Sequence, residues 1–371
     1  MASVSRDHTA AGLRWRVRYR TPDHRQTDKR GFKTKRDAEA FAATVEVKKL
    51  TGQFIAESAG KVTIGELAIP YLDRKKHSTA ASTFRMTESA WRVHVAPKWS
   101  AQRVNEITAL DVETWVAQMV KNGAGPTTVI RAHGVLSGVL TDAVRSRRLA
   151  LNPAKGITNL PRKRARRRVY LSAHDLHHLA DESGEHRALV LVLGFCGLRW
   201  GEAIALRVRD VHFLRRRLHV SENAVQLGVD HAVGETKGRE ARSVPVPAFV
   251  LDELAQTCDN RAGEDLIFPA TNGGYLPRPK SSGGWFVQAV KRSGVQRVTP
   301  HDLRHTAASL AVSAGANVLA LARMLGHRDP SVTLRVYADL FDTDLDAVAA
   351  SLHSEFSRDG VGTKWANARG K

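Results

Sequence analysis

Six residues between positions 199 and 337 have side chains that, taken together, can cut and rejoin a phosphodiester without a metal: Arg199, Lys237, His301, Arg304, His327 and Tyr337. They lie in the strings GLRWGE, TKGREARSVPV, HDLRHT and LGHRDPSVTLRVY. Attack on phosphorus raises negative charge on the non-bridging oxygens, and fixed cations stabilise that charge. Arginine suits the task because its guanidinium forks onto two oxygens and stays protonated. Arg199 follows the Gly197-Leu198 turn, and Arg304 sits on a helix opened by His301-Asp302. The leaving deoxyribose oxygen needs a proton. Lys237, in the turn Glu235-Thr236-Lys237-Gly238, can give one if neighbouring cations draw its pKa down. Tyr337 is the nucleophile, and its ordinary pKa of about 10 calls for a base or a strongly cationic site. His301 is placed to accept or relay the phenol proton and His327 to hydrogen-bond the phosphate. Asp302 and Glu202 are read as orienting or structural groups, and Tyr275, in a Gly-rich loop, as the weaker alternative nucleophile.

The elements that must carry these groups read as a mainly helical segment from Tyr170 onward with a β insert. Ser172 caps a helix, and residues 186–196 form an apolar helix stopped at Gly197. Short strands are predicted at 217–220, near 225–233 and at 242–246. Helices are predicted near 282–293, 302–314 and 317–325. Asp329-Pro330 starts a short helix bearing Tyr337. The histidines at 174, 177 and 178 have no Cys or Glu partner at ligand spacing, so no metal is expected.

Upstream, residues 13–20 (LRWRVRYR) alternate apolar and arginine. That is a strand with one apolar face and one wholly cationic face of Arg14, Arg16, Arg18 and Arg20. A second strand runs to Phe32, and Thr34 with Asp37 opens a helix. Between Arg14 and Arg36, Lys33 and Lys35 included, stand ten Lys or Arg against two Asp. Such a face fits the DNA major groove. Residues 64–76, 79–95, 109–122 and 126–148 read as helices, separated or ended by Pro97, the 123–126 turn and Asn152-Pro153. Their polar faces include Arg131. Arg162, Lys163, Arg164, Arg166, Arg167 and Arg168 make six cations in seven residues, a basic tether suited to crossing a duplex backbone.

Composition agrees. The 371 residues allow two or three domains. With 57 Lys+Arg against 37 Asp+Glu, the net charge of +20 points to a polyanionic partner. No apolar run is long enough to span a bilayer, and the first residues lack a signal core, so no membrane association is expected and a cytoplasmic site of action is. Two separated cysteines make neither a disulfide framework nor a zinc site.

With these motifs in hand, the chain resembles the tyrosine recombinases, in particular the bivalent, arm-binding phage-type integrases. GLRWGEAIAL matches the first arginine motif of that family and ETKGREARSVPVP its lysine hairpin. HDLRHTAASL matches the histidine–arginine motif and LGHRDPSVTLRVYADL the final histidine and tyrosine. The resemblance implies an α+β multidomain fold. Residues 1–55 would be an arm-type DNA-binding sheet-plus-helix domain and 56–62 a linker. Residues 63–155 would be an all-α, SAM-like core-binding bundle and 156–169 a basic linker. Residues 170–371 would be a catalytic domain of the DNA breaking-rejoining fold with a C-terminal tail. It further implies a 3′-phosphotyrosyl intermediate on Tyr337, no cofactor, and double-stranded core and arm sites as substrate. A homotetramer working through a Holliday junction is implied, as are a DNA-bending host factor and an excision directionality factor. The source would be an actinobacterial temperate phage or prophage. An integrase of a conjugative element, a catalytically silent relative and a type IB topoisomerase are the alternatives.

Overall fold

The computed structural model describes residues 2–9, 12–21, 25–50, 54–55, 59–163, 168–235, 241–340, 350 and 352–354. The chain divides into two compact units, Met1–Ala165 and Arg166–Lys371.

The first unit begins with an antiparallel sheet in the order β1 (Ser3–Thr9), β2 (Gly12–Arg20), β3 (Gln26–Phe32), backed by α1 (Lys35–Leu50). The alternation in β2 turns Val17 and Tyr19 inward, where they meet Ala38, Val45 and Phe54. The Thr34 side chain accepts from the Asp37 N–H at 3.1 Å, capping α1. Sequence reading gives no strand before residue 13. β1 (SVSRDHT) has little apolar content, and it exists because its backbone pairs along β2 from Ser3↔Arg18 to Thr9↔Gly12. Within β2 the arginines keep one face, but the neighbouring strands add to it. Asp7 lies opposite Arg14 and Asp28 opposite Arg18, so two carboxylates stand among the arginines.

The same unit holds a helical bundle made of α2 (Ile64–Ser78), α3 (Ala81–Ala90), α4 (Ala96–Trp99), α5 (Ala109–Lys121) and α6 (Pro126–Arg145). Capping boxes Thr63/Glu66 and Thr108/Asp111 open α2 and α5. Val112, Trp115, Val116 and Met119 pack against Val129, Leu136, Val139 and Leu140, with Trp99 and Trp115 edge to face at 5.7 Å. Pro97 does not end a helix as its chemistry suggests. A π-helical stretch, Trp91–Val95, precedes it, and the wider turn accommodates a residue without an N–H.

The second unit starts with α7 (Ala173–Asp181), capped by Ser172, and the apolar α8 (Arg187–Cys196). A single turn, α9 (Trp200–Ala203), follows. Three strands pair in the order β4 (Val211–His212), β5 (Arg217–Val220), β8 (Arg242–Pro245), while β6 (Glu222–Leu227) and β7 (Asp230–Glu235) form a hairpin. The helices α10 (Ala248–Cys258), α11 (Trp285–Ser293), α12 (Pro300–Ser313), α13 (Val318–Leu325) and α14 (Pro330–Tyr337) complete it. Helix α10 is absent from the sequence expectations. Its Val250, Leu251, Leu254 and Cys258 pack into the main core, a stripe that is plain once the neighbouring strand end is known. Among the described residues no helix is long and apolar enough to cross a membrane.

Candidate active site

Two helix ends build the cationic centre. Helices α8 and α13 both stop at glycines in the left-handed region, Gly197 (φ 68°) and Gly326 (φ 65°). The left-handed φ favours glycine at both positions, and a Cβ would press on neighbouring side chains, Leu325 Cδ2 at 2.9 Å from Gly197 and the Arg242 guanidinium at 2.9 Å from Gly326. The freed carbonyls are used. Arg304, 3% exposed, donates to Gly197 O at 2.6 Å and also to Leu325 O. A cation at two helix C-termini meets the negative end of each dipole. Burial, and then the charge of Arg199, push the Arg304 guanidinium down to about 9, so it stays charged at neutral pH.

Arg199 caps α9. Its backbone N–H donates to Glu202 Oε2 at 2.9 Å and its Nη1 to Glu202 Oε1 at 2.6 Å. Glu202 is 1% exposed and is shared with a residue that motif reading passed over. Arg242 donates through Nη2 at 2.7 Å and Nη1 at 3.2 Å, and its Nε donates to Met324 O at 3.1 Å. Burial would raise the Glu202 carboxyl, but the Arg242 hydrogen bonds and charge, then Arg199, outweigh it and hold it down at about 2. The sequence signal for Arg242 was only its place beside Ser243-Val244-Pro245 at the start of a strand. Arg199, Arg242, Arg323, His327 and Arg328 are among the residues lining a cleft of about 430 Å³, which gives it a positive potential.

His327 joins this centre. Arg304 Nη2 lies 3.3 Å from its Nε2, and its Nδ1 lies 2.8 Å from Thr333 Oγ1. Because the guanidinium only donates, Nε2 accepts, and the ring proton sits on Nδ1 toward the hydroxyl. Burial, then Arg304 and Arg199, push His327 down to about 4, so it is neutral at neutral pH.

The Tyr337 side of the site is built by α12 and α14. Thr299 and Asp302 form a capping box (Thr299 N to Asp302 Oδ2, 2.8 Å) that fixes the start of α12. At the start of α12, desolvation of its ring and then the Arg304 charge hold His301 below the usual imidazole range. Tyr337 is 2% exposed, packed with Ala308, Leu321 and Leu325. Burial pushes its phenol up to about 12, against an opposing pull from the Arg304 charge. Its hydroxyl lies 2.8 Å from Nδ1 of His305, whereas the sequence pointed to His301. The 301 and 305 rings meet edge to face at 5.1 Å. The signal for His305 was its place four residues after His301, on the same helix face.

Lys237 falls outside the described residues, as do Arg164, Arg166 and Arg167. Arg162, Lys163 and Arg168 are exposed. On the N-terminal sheet, Arg18 and Arg20 are exposed and Arg14 and Arg16 half-buried. Asp28 is 4.0 Å from Arg16 and 2.8 Å from Arg30 Nε, and the Arg30 hydrogen bond lowers its pKa. Lys33 is exposed, and Lys35 pairs with Glu39 at 3.3 Å. In the bundle, Arg131 borders a cleft of about 290 Å³ with Arg85, Ser89, His94 and Thr128.

Residues 170–344 match the phage integrase family and residues 4–49 match an arm DNA-binding domain. The integrase of Mycobacterium phage D29 is 28% identical over 313 residues, spanning 81% of this chain and 76% of that protein. The integrase of Mycobacterium phage L5 is 30% identical over 247 residues, 62% and 64% respectively. A tyrosine recombinase of Thermosipho africanus is 28% identical over 259 residues, 67% of this chain and 86% of that protein. The Tn1549 transposon integrase bound to a circular intermediate DNA superposes with a TM-score of 0.65 at 21% identity, over 77% of this chain and 99% of that one. A lambda integrase tetramer bound to a Holliday junction gives 0.59 at 18% identity, over 88% and 96%. These two structures share the fold.

Proposed function

This chain is a phage-type tyrosine recombinase, a site-specific enzyme that breaks and rejoins DNA in integrating phage DNA into a chromosome, and from that premise we propose how its residues divide the work. Tyr337 Oη attacks the scissile phosphorus and forms a 3′-phosphotyrosyl bond, leaving a 5′ hydroxyl. Arg199 and Arg304 hold the non-bridging oxygens, and His327, beside Arg304, hydrogen-bonds the same phosphate. Lys237 protonates the departing 5′ oxygen, and His301 lies beside the proton path. Glu202 and Arg242 keep Arg199 in place.

One observation carries this reading. A buried guanidinium, Arg304, is fixed by two helix-end carbonyls and a neutral histidine, and its charge is felt at a buried phenol. Binding geometry of this kind is set before substrate arrives, as electrostatic stabilisation requires.

Residues 1–55 serve as the arm-site module, 63–155 as the core-site module and 170–371 as the catalytic module, joined by 56–62 and by 156–169. Arg14, Arg16, Arg18, Arg20, Lys33 and Lys35 contact arm DNA. Arg131, Arg162, Lys163, Arg164, Arg166, Arg167 and Arg168 contact phosphates near the crossover. Four copies assemble on two duplexes, with a DNA-bending host factor and an excision directionality factor, in the cytoplasm of the host cell. The relatives from mycobacterial phages favour a phage over a conjugative element.

A nicked duplex carrying the crossover site tests the reading, since loss of the short strand traps the covalent product. The expected result is an adduct with the wild-type chain and none with Tyr337→Phe, duplex binding being retained. An adduct that persists in Tyr337→Phe assigns the nucleophile elsewhere.

A further inference from the structure

Resting on the assignment of Tyr337 as nucleophile, we propose that His305, four residues after the expected His301, accepts the phenol proton during strand cleavage and returns it during rejoining.

The placement is specific. Tyr337 is 2% exposed, so bulk water does not reach its hydroxyl to take the proton. Among the described residues, the phenol's hydrogen bond is to His305 Nδ1, at 2.8 Å, within the reach expected of a general base. The His301 ring meets the His305 ring edge to face at 5.1 Å between centroids, and among the described residues it is the His305 ring, not that of His301, that is hydrogen-bonded to the phenol. The position of His305 is fixed at both ends. Helix α12 is anchored by the Thr299/Asp302 capping box, and Thr306, the next residue, accepts from the Leu171 N–H at 3.2 Å. Arg304, one residue earlier, faces the Gly197 and Leu325 carbonyls. One helix turn therefore presents the phosphate-binding cation and the phenol's partner side by side.

The chemistry balances. The Tyr337 Oη–P bond forms as the P–O5′ bond breaks. The phenol proton goes to His305 Nδ1, and O5′ takes its electron pair and a proton from the acid assigned to Lys237. In rejoining, the 5′ hydroxyl attacks phosphorus and gives its proton to the now neutral group assigned to Lys237, the P–Oη bond breaks, and His305 returns its proton to the departing phenolate. Burial, then His301, with Arg168 and Arg304 also positive and Asp302 opposing, push His305 down to about 4. Facing Tyr337 itself are Arg304, Tyr170, Arg168 and Arg199. A ring with this character is neutral at neutral pH, with its Nδ1 lone pair turned to the phenol, and once protonated it gives the proton back more readily than an ordinary imidazolium. Transfer is therefore concerted with attack, as the phenol acidifies on bonding to phosphorus.

His305→Asn puts an amide that can accept a hydrogen bond, but not a proton, near Nδ1. Adduct formation on the nicked duplex is expected to fall by about 10²-fold or more, with thermal melting and duplex binding unchanged. A substrate with sulfur in place of the bridging 5′ oxygen needs no proton on the leaving group. It is expected to restore a Lys237→Ala variant and to leave His305→Asn slow. Cleavage by His305→Asn at the wild-type rate, or its rescue by the sulfur substrate, overturns the proposal. If His305→Asn does not fold, the pH–rate profile of His301→Asn decides. An acidic limb kept where the wild-type enzyme has it supports His305, and its loss moves the role to His301. An adduct surviving in Tyr337→Phe would instead overturn the nucleophile assignment, a result separable from either outcome at His305.

Discussion

Arg242 grips both oxygens of the Glu202 carboxylate, at 2.7 Å through Nη2 and 3.2 Å through Nη1. Through that grip a buried anion is held between two arginines that would otherwise repel each other. Replacing Glu202 with Gln leaves Arg199, Arg242 and Arg304 without their shared counter-charge. Breaking a buried pair in this way costs about 3–5 kcal/mol. The expected outcome is a clear drop in melting temperature together with slower adduct formation. A variant as stable as the wild type would show that Glu202 is dispensable for assembling the site.

Arg304 tests geometry against charge. Lysine keeps the charge but cannot fork onto the Gly197 and Leu325 carbonyls and reach His327 at once. Arg304→Lys is expected to lose about 10²–10³ in cleavage rate. Single-turnover kinetics on the nicked duplex measure it, and near-normal cleavage would mean that a point charge suffices.

On the N-terminal sheet the arginines and Asp28 make a two-sided experiment. Changing Arg14, Arg16 and Arg18 to Gln should weaken arm-site binding and flatten the salt slope by about 0.9 for each phosphate no longer neutralised. Asp28→Asn removes the carboxylate beside Arg16 and Arg30 and should strengthen binding. Fluorescence titrations across a salt series give both slopes. Equal loss of arm-site binding and core cleavage in the triple variant would argue against separate modules.

Acid should loosen the catalytic unit. His305 and His327 lie near 4 in the folded chain against an ordinary 6.5, so between those values the unfolded chain binds more protons. Their stabilising contribution is complete above about 6.5 and is lost as the pH falls toward 4. Glu202, held near 2 against 4.5, adds a further loss as the pH drops through that lower range. Thermal melts should be level from pH 8 to 7 and then decline. His305→Asn should decline less between 6.5 and 4, and a level wild-type curve down to 4.5 would contradict the assignment.

Much of the fold was readable along the chain because its signals are local. The β2 alternation, the Ser172 and Asp329 caps and the Gly197 stop each depend on a few adjacent residues, and the structure has the corresponding elements there. What escaped depends on partners distant in sequence. β1 is held by pairing, α10 by a core to which it contributes only one face, and the helix through Pro97 by a π turn with no compositional signature.

The sequence by itself determined the chemistry available: arginines that stay charged, imidazoles, a late phenol and a strongly basic surface. Only the tertiary structure decided which groups meet. It set Arg242 on Glu202 from 40 residues away and His305 on Tyr337 from 32 residues away. The physical reason is that side-chain type and helix period are encoded residue by residue. Distances between helices that are not neighbours in the chain follow only from packing the whole core.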